Sequence, residues 1–384
     1  MKFRALLTCA LAGVLFAGCK AVPLRTNPLD HRTTVAPGQT VFKVDWHVKL
    51  VGAQLFDLEF FPREFASPAV DPESGRIFAA TRDGFIRAVN PGGQVEWSFK
   101  TNGPFQAGPA VHEDVVYVPG GDGVLYALRA SNGELLWKYA AGEQLATRPV
   151  ITDGRVFVAS QGNTLYAVEA QTGKWLWQYR RDLPAGFMVH GASTPAVSMG
   201  TMYVGFNDGA VVALEPESGI VKWERVLSNE GREFLDVDTS PVVDDQGRVF
   251  VASYKNGIYA LSGETGDVLW NTATAGVTGA IGRGDVVFAS GDRGLTAVLA
   301  DDGKVLWSLP LDKKSAQPPA FVRGMIVMPL NNTLMFVDPS TGRPTLEWDP
   351  GQGVSSTPVY ADGHLYVLSN NGYLYALRLE RRGI

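Results

Sequence analysis

Cysteine is almost missing from this chain: Cys9 and Cys19 are the only two, and both lie near its start. The rest can hold no disulfide, no thiolate metal site and no cysteine nucleophile. Long apolar runs are missing too. Ala5 to Phe16 is apolar but shorter than the ~20 residues a permanent membrane helix needs. Histidine is scarce, and His31, His47, His112, His190 and His364 stand at no metal-ligand spacing. There is no Walker loop, dinucleotide fingerprint or Gly-x-Ser-x-Gly elbow. The formal charge of −5 leaves no basic footprint for nucleic acid. With 45% hydrophobic and 19% charged residues, the chain is nonetheless rich enough in apolar surface to fold.

The first residues read as an export signal over 1–18. Lys2 and Arg4 form a charged start, the apolar run follows, and Ala17-Gly18 are small residues at a cleavage point. Leu15-Phe16-Ala17-Gly18-Cys19 resembles a bacterial lipobox, which implies that Cys19 is lipidated, with palmitate among the expected acyl chains, and begins the mature protein. Residues 19–40 carry Pro23, Pro28 and Pro37 among polar neighbours and read as a tether, spanning roughly 25 Å on average.

What the remainder has in excess is glycine, 43 residues, and a periodic tryptophan. Trp97, Trp137, Trp177, Trp223, Trp270, Trp307 and Trp348 are spaced by 40, 40, 46, 47, 37 and 41 residues. Each closes a copy of the same pattern. In the third copy, strands are expected at Pro149–Thr152, Arg155–Ser160, Thr164–Glu169 and Trp175–Tyr179, rich in the residues that pleated surfaces prefer. Asp83-Gly84, Asp122-Gly123, Asp208-Gly209, Asn256-Gly257 and Asn371-Gly372 join second to third strands, where such pairs supply the positive φ of tight hairpins. Asn132-Gly133, Thr172-Gly173 and their counterparts join third to fourth.

A four-stranded meander cannot bury both faces alone, so copies of about 40 residues pack radially around a channel. The last copy has three strands and no tryptophan. Val41 to Trp46 supplies the missing fourth strand, and Trp46 the eighth tryptophan. The expectation is all-β: an eight-bladed β-propeller of four-stranded antiparallel blades over 41–379, closed by the N-terminal strand, with 380–384 as a tail.

The repeat, ending in Thr-Gly-x-x-x-Trp, resembles the one named after pyrroloquinoline quinone (PQQ). The arrangement is similar to the family of outer-membrane assembly lipoproteins called BamB. Leu183 to Pro195 and Leu235-Asp236-Val237-Asp238-Thr239-Ser240-Pro241 carry that likeness. It implies a non-enzymatic, cofactor-free scaffold, lipid-anchored on the periplasmic side of the outer membrane. The expected partner is the barrel-inserting subunit of the β-barrel assembly machinery, with unfolded outer-membrane proteins as a further one. By position the contacts fall on Phe187, Met188, Val189 and His190 in one loop, and on Asp236 and Asp238 in the other; His190 stands where the family often has arginine. Two alternatives stay open: a scaffold for another envelope complex, and a PQQ-dependent dehydrogenase. The second would need a calcium cluster and usually an adjacent cysteine pair, neither of which is visible in the chain.

Overall fold

In the computed structural model, the residues described are 33–35, 40–52, 63–182, 192–227, 237, 239–274, 276–311, 317–330 and 332–381. All regular elements among them are strands, grouped into eight antiparallel sheets. In chain order, blades 1 to 7 span residues 69–100, 110–140, 150–180, 196–226, 242–272, 277–310 and 320–348. Blade 8 combines 359–381 with Thr40–Lys49.

Each blade is organised by one rung of side chains. In blade 3, Val150, Phe157, Ala167 and Trp177 stand opposite one another across the four strands. Blade 5 repeats it with Val242, Phe250, Ala260 and Trp270. The central alanine is small so that the aromatic rings on either side can meet over it, with centroids 5.7 Å apart for Phe157–Trp177 and 5.8 Å for Phe250–Trp270. A β-bulge in the fourth strand just before the tryptophan brings it into this register.

The tryptophan then reaches the next blade. Trp137 donates from Nε1 to Ala170 O at 3.0 Å, and Trp223 to Gly263 O at 2.8 Å. The same indoles cover the glycine of the neighbour's third turn. A Cβ on Gly173 would lie 2.3 Å from Trp137, and one on Gly266 2.5 Å from Trp223. Glycine is therefore required there twice over, by the neighbouring ring and by a φ near +70°.

Trp348 departs from the expected series. Its strand partner is Leu334, and Leu346 occupies the rung, opposite Phe336 and Val327. Blade 7 has thus moved its aromatic ring to the central strand and placed a smaller residue on the outer one, a near conservation of core volume. Trp348, fully buried, packs edge-on against Phe42 and Tyr375 of blade 8, at 5.2 and 5.1 Å. Blade 8 offers it no third turn to cover, because the third and fourth strands there, Tyr373–Arg381 and Thr40–Lys49, are not consecutive in the chain.

The ring closes as expected, but with a longer strand: Thr40–Lys49 pairs with Tyr373–Arg381, so the propeller runs two residues into the stretch read as a tail. Trp46 faces Ala376 and donates to Pro91 O of blade 1 at 2.7 Å. Asp45 accepts from His364 Nε2 at 2.9 Å and pairs with Arg378. At the same seam the fully buried Glu64 accepts from Arg82 N and Nη1, at 2.8 and 2.7 Å, while Arg82 Nη1 also reaches Asn370 O of blade 8. Burial raises the Glu64 pKa to about 7, its bonds to Arg82 only partly offsetting this.

Two further differences concern local chemistry. Thr33–Val35, inside the stretch expected to be tether, adds a fifth strand to the outer edge of blade 7. In the Asp-Gly and Asn-Gly second hairpins only the glycine takes positive φ, while blade 3 uses Asn163; at Asp83-Gly84 the aspartate instead accepts from Phe85 N and Thr81 Oγ1. The turns with both central φ positive join first to second strands, as at Asp153-Gly154.

Candidate partner-binding rim

One rim of the ring carries both the second hairpins and the connections between blades. The connections are tied to the hairpins by backbone bonds: Thr101 N to Gly84 O, Ala141 N to Gly123 O and Leu227 N to Gly209 O, each at 2.9 Å. Apart from the connection of blade 8 to blade 1, over 50–68, two connections are longer than the rest, those joining blades 3 to 4 and 4 to 5. Phe187, Met188, Val189, His190, Asp236 and Asp238 lie in them, and all six fall outside the described residues, as does Cys19.

The stems of these connections are described, and they converge. The Phe206–Gly209 hairpin of blade 4 is the meeting point. On one side Arg181, leaving blade 3, grips Asp208 through Nε and Nη2 at 2.7 and 2.6 Å, and reaches Glu224 at 2.9 Å. Its guanidinium also lies 5.8 Å from the Phe206 ring centre. Burial disfavours the Arg181 cation, but the bonds to Asp208, Tyr179 and Glu224 outweigh it and raise its pKa. On the other side, Leu227 leaves blade 4 bonded to Gly209 O, and the fully buried Val237 returns to donate to Phe206 O at 3.1 Å.

The returning stems also bond each other. Ser193 Oγ donates to Thr239 O at 3.1 Å, and Thr194 N donates to Ser240 Oγ at 3.3 Å. Each hydroxyl doubles as a clamp on its own blade, Ser193 accepting from Gly205 N and Thr239 from Ala252 N. Both long connections thus rise from one cross-bonded base. Sequence reasoning singled out the loops but missed Arg181, Asp208 and this hydroxyl pair, although the repeated Ser/Thr-x-Pro at 193–195 and 239–241 was the available sign. Over its described residues the base offers buried hydrogen bonds and ion pairs. Among the described residues, no group of three or more His, Cys, Asp or Glu could hold a metal ion.

The family model described as "Outer membrane protein assembly factor BamB" matches residues 82–308 and 291–382. The chain belongs to the BamB family. A BamB from Shigella dysenteriae serotype 1 (strain Sd197) is 33% identical over 322 residues, covering 78% of this chain and 81% of that protein. Among solved structures, BamB from Moraxella catarrhalis superposes with a TM-score of 0.76 at 19% identity, over 88% of this chain and all of that one. The quinohemoprotein alcohol dehydrogenase from Comamonas testosteroni gives 0.68 at 14% identity, over 89% of this chain and 78% of that one. Both structural likenesses show the fold alone. They also show that the propeller is shared between a BamB and an enzyme, so the fold does not choose the activity.

Proposed function

We propose that this chain is a non-enzymatic scaffold lipoprotein of the outer-membrane β-barrel assembly machinery. It is anchored through Cys19 on the periplasmic side of the outer membrane. It binds the barrel-inserting subunit through the loops over 183–195 and 229–241, and so aids insertion of β-barrel proteins. The observation that carries the reading is the convergence of both loop stems on the Phe206–Gly209 hairpin, cross-bonded through Ser193–Thr239 and Thr194–Ser240. A rigid base under two long loops is where recognition usually sits. The relatives' name as assembly factors supports the biological setting. On this base, Phe187 and Val189 supply an apolar anchor, and Asp236 and Asp238 an acidic flank that steers association.

The test is crosslinking of the full protein in its own envelope, followed by gentle purification and identification of what comes with it. Recovery of the barrel-inserting subunit is the expected result. Recovery of a different envelope complex, without that subunit, overturns the reading. Mass spectrometry of the mature N-terminus checks the anchor, and an unmodified Cys19 there refutes it.

A further inference from the structure

The axis of the ring holds a cavity of about 540 Å³, to which all eight blades contribute. Its lining follows the repeat. Seven copies enter their first strand through an X-Pro step, and in the eighth, blade 6, Gly279-Ala280 stands at the same place within a longer first strand; in every copy the residue at X lines the axis. Seven of these residues are Ser, Thr, Gly or Pro. The ring is tight, for a Cβ added to Gly108 would lie 2.1 Å from Ser67 O, and one added to Gly279 2.7 Å from Pro318 Cα. Blade 3 breaks the rule with Arg148, the one charged side chain among the described residues of the lining.

Arg148 has no hydrogen-bond or ion-pair partner among the described residues, unlike Arg82, Arg181 and Arg248, which are each held by carboxylates. Its side chain is exposed, yet the surrounding protein desolvates it enough to lower its pKa. A position that tolerates Ser or Gly elsewhere in the ring has no structural need of a cation. Its forked donors suit a carboxylate, and as the one cation among the described lining residues it matches a single negative charge. Around it stand neutral polar groups, the Gln106 and Gln317 amides and the Ser67 and Ser240 hydroxyls, which suit a ligand rich in hydroxyl groups.

We infer that the axial channel binds a small hydroxylated carboxylate of the sugar-acid class, with Arg148 as the residue that holds its carboxylate. The channel shares Thr194 and Ser240 with the base under the two long loops, but Arg148 lies outside that base.

The experiment uses the mature chain labelled with ¹⁵N-arginine, following the side-chain Nε–H signals at constant ionic strength. Gluconate and glucuronate are the probes, and sorbitol and chloride the controls. One arginine signal, lost in Arg148→Ser, should shift and saturate by ~50 mM, past the ~1 mM Kd expected of one bidentate contact. Sorbitol and chloride should leave it unmoved. Failure of both acids to saturate, an equal response to chloride, or the same response in Arg148→Ser each overturns the proposal. Arg148→Ser should melt no lower than the parent without ligand, since Ser67 and Ser240 fill the same position; a clearly lower melting temperature would make Arg148 structural instead.

Discussion

Replacing Gly173 with alanine tests how the blades are held to one another, because blade 3 contains its own control. Gly173 and Gly154 both have positive φ, +69° and +70°. A Cβ at Gly154 meets nothing within 4 Å, whereas one at Gly173 lies 2.3 Å from Trp137 Cε3 and 2.6 Å from Cδ2. Both alanines carry the left-handed penalty of ~1–2 kcal/mol, partly offset by ~0.4–1 kcal/mol from a stiffer unfolded chain. Only Gly173→Ala adds overpacking, about 1–3 kcal/mol. The expected difference between the two variants is therefore ~2 kcal/mol. A ring of roughly 340 residues has an unfolding entropy near 0.7 kcal/mol/K, so this is a gap of about 3 °C in Tm if the ring melts as a unit. Urea titration gives the same comparison without that assumption. Trp137→Phe should narrow the gap, giving a coupling energy in the double-mutant cycle. Equal stability of the two glycine variants would show that the indole-on-glycine contact does not join the blades.

Other consequences follow from the same geometry. Ala260→Leu should destabilise by about 1–3 kcal/mol, because Phe250 and Trp270 meet over that alanine; a neutral result in urea unfolding would refute the rung. The raised Glu64 pKa makes the folded state bind its proton more tightly than the unfolded chain does. The stability this contributes is whole below about 4.5 and is lost as pH rises through about 7. Urea stability should accordingly fall across that window and fall less in Glu64→Gln; an unchanged slope would clear Glu64 of the effect. Among the described residues, deleting 20–38 removes only the short fifth strand on blade 7, and it should cost little. Deleting 20–49 opens blade 8 and should promote aggregation, so matching melting curves for the two would rule out the closure.

Much of this was legible because a propeller repeats one solution to one packing problem. A large aromatic about every 40 residues and a glycine in each third turn are both demanded by the same blade-to-blade contact. Tryptophan spacing alone places Trp348 in the series, but the distance from the turn glycine does not. In the other copies the tryptophan stands four residues after the turn glycine, as Gly173 and Trp177 do, and four after Gly342 is Leu346. Phe336 in place of the usual central alanine was the compensating sign. Thr33–Val35 was not legible, since three residues among prolines carry no usable period. The candidate loops could be located from lengthened spacing, but the base beneath them could not. Arg181 and Asp208 meet only through the fold, 27 residues apart.

The central functional claim is tested most directly by the affinity of the purified chain for the periplasmic domains of the barrel-inserting subunit, measured by calorimetry with folding checked by circular dichroism. Phe187→Ala should weaken binding by about thirtyfold, ~2 kcal/mol. Lysine at both Asp236 and Asp238 should slow association and change its salt dependence. If both variants bind as the parent does, the loops rising from the Phe206–Gly209 base are not the partner site.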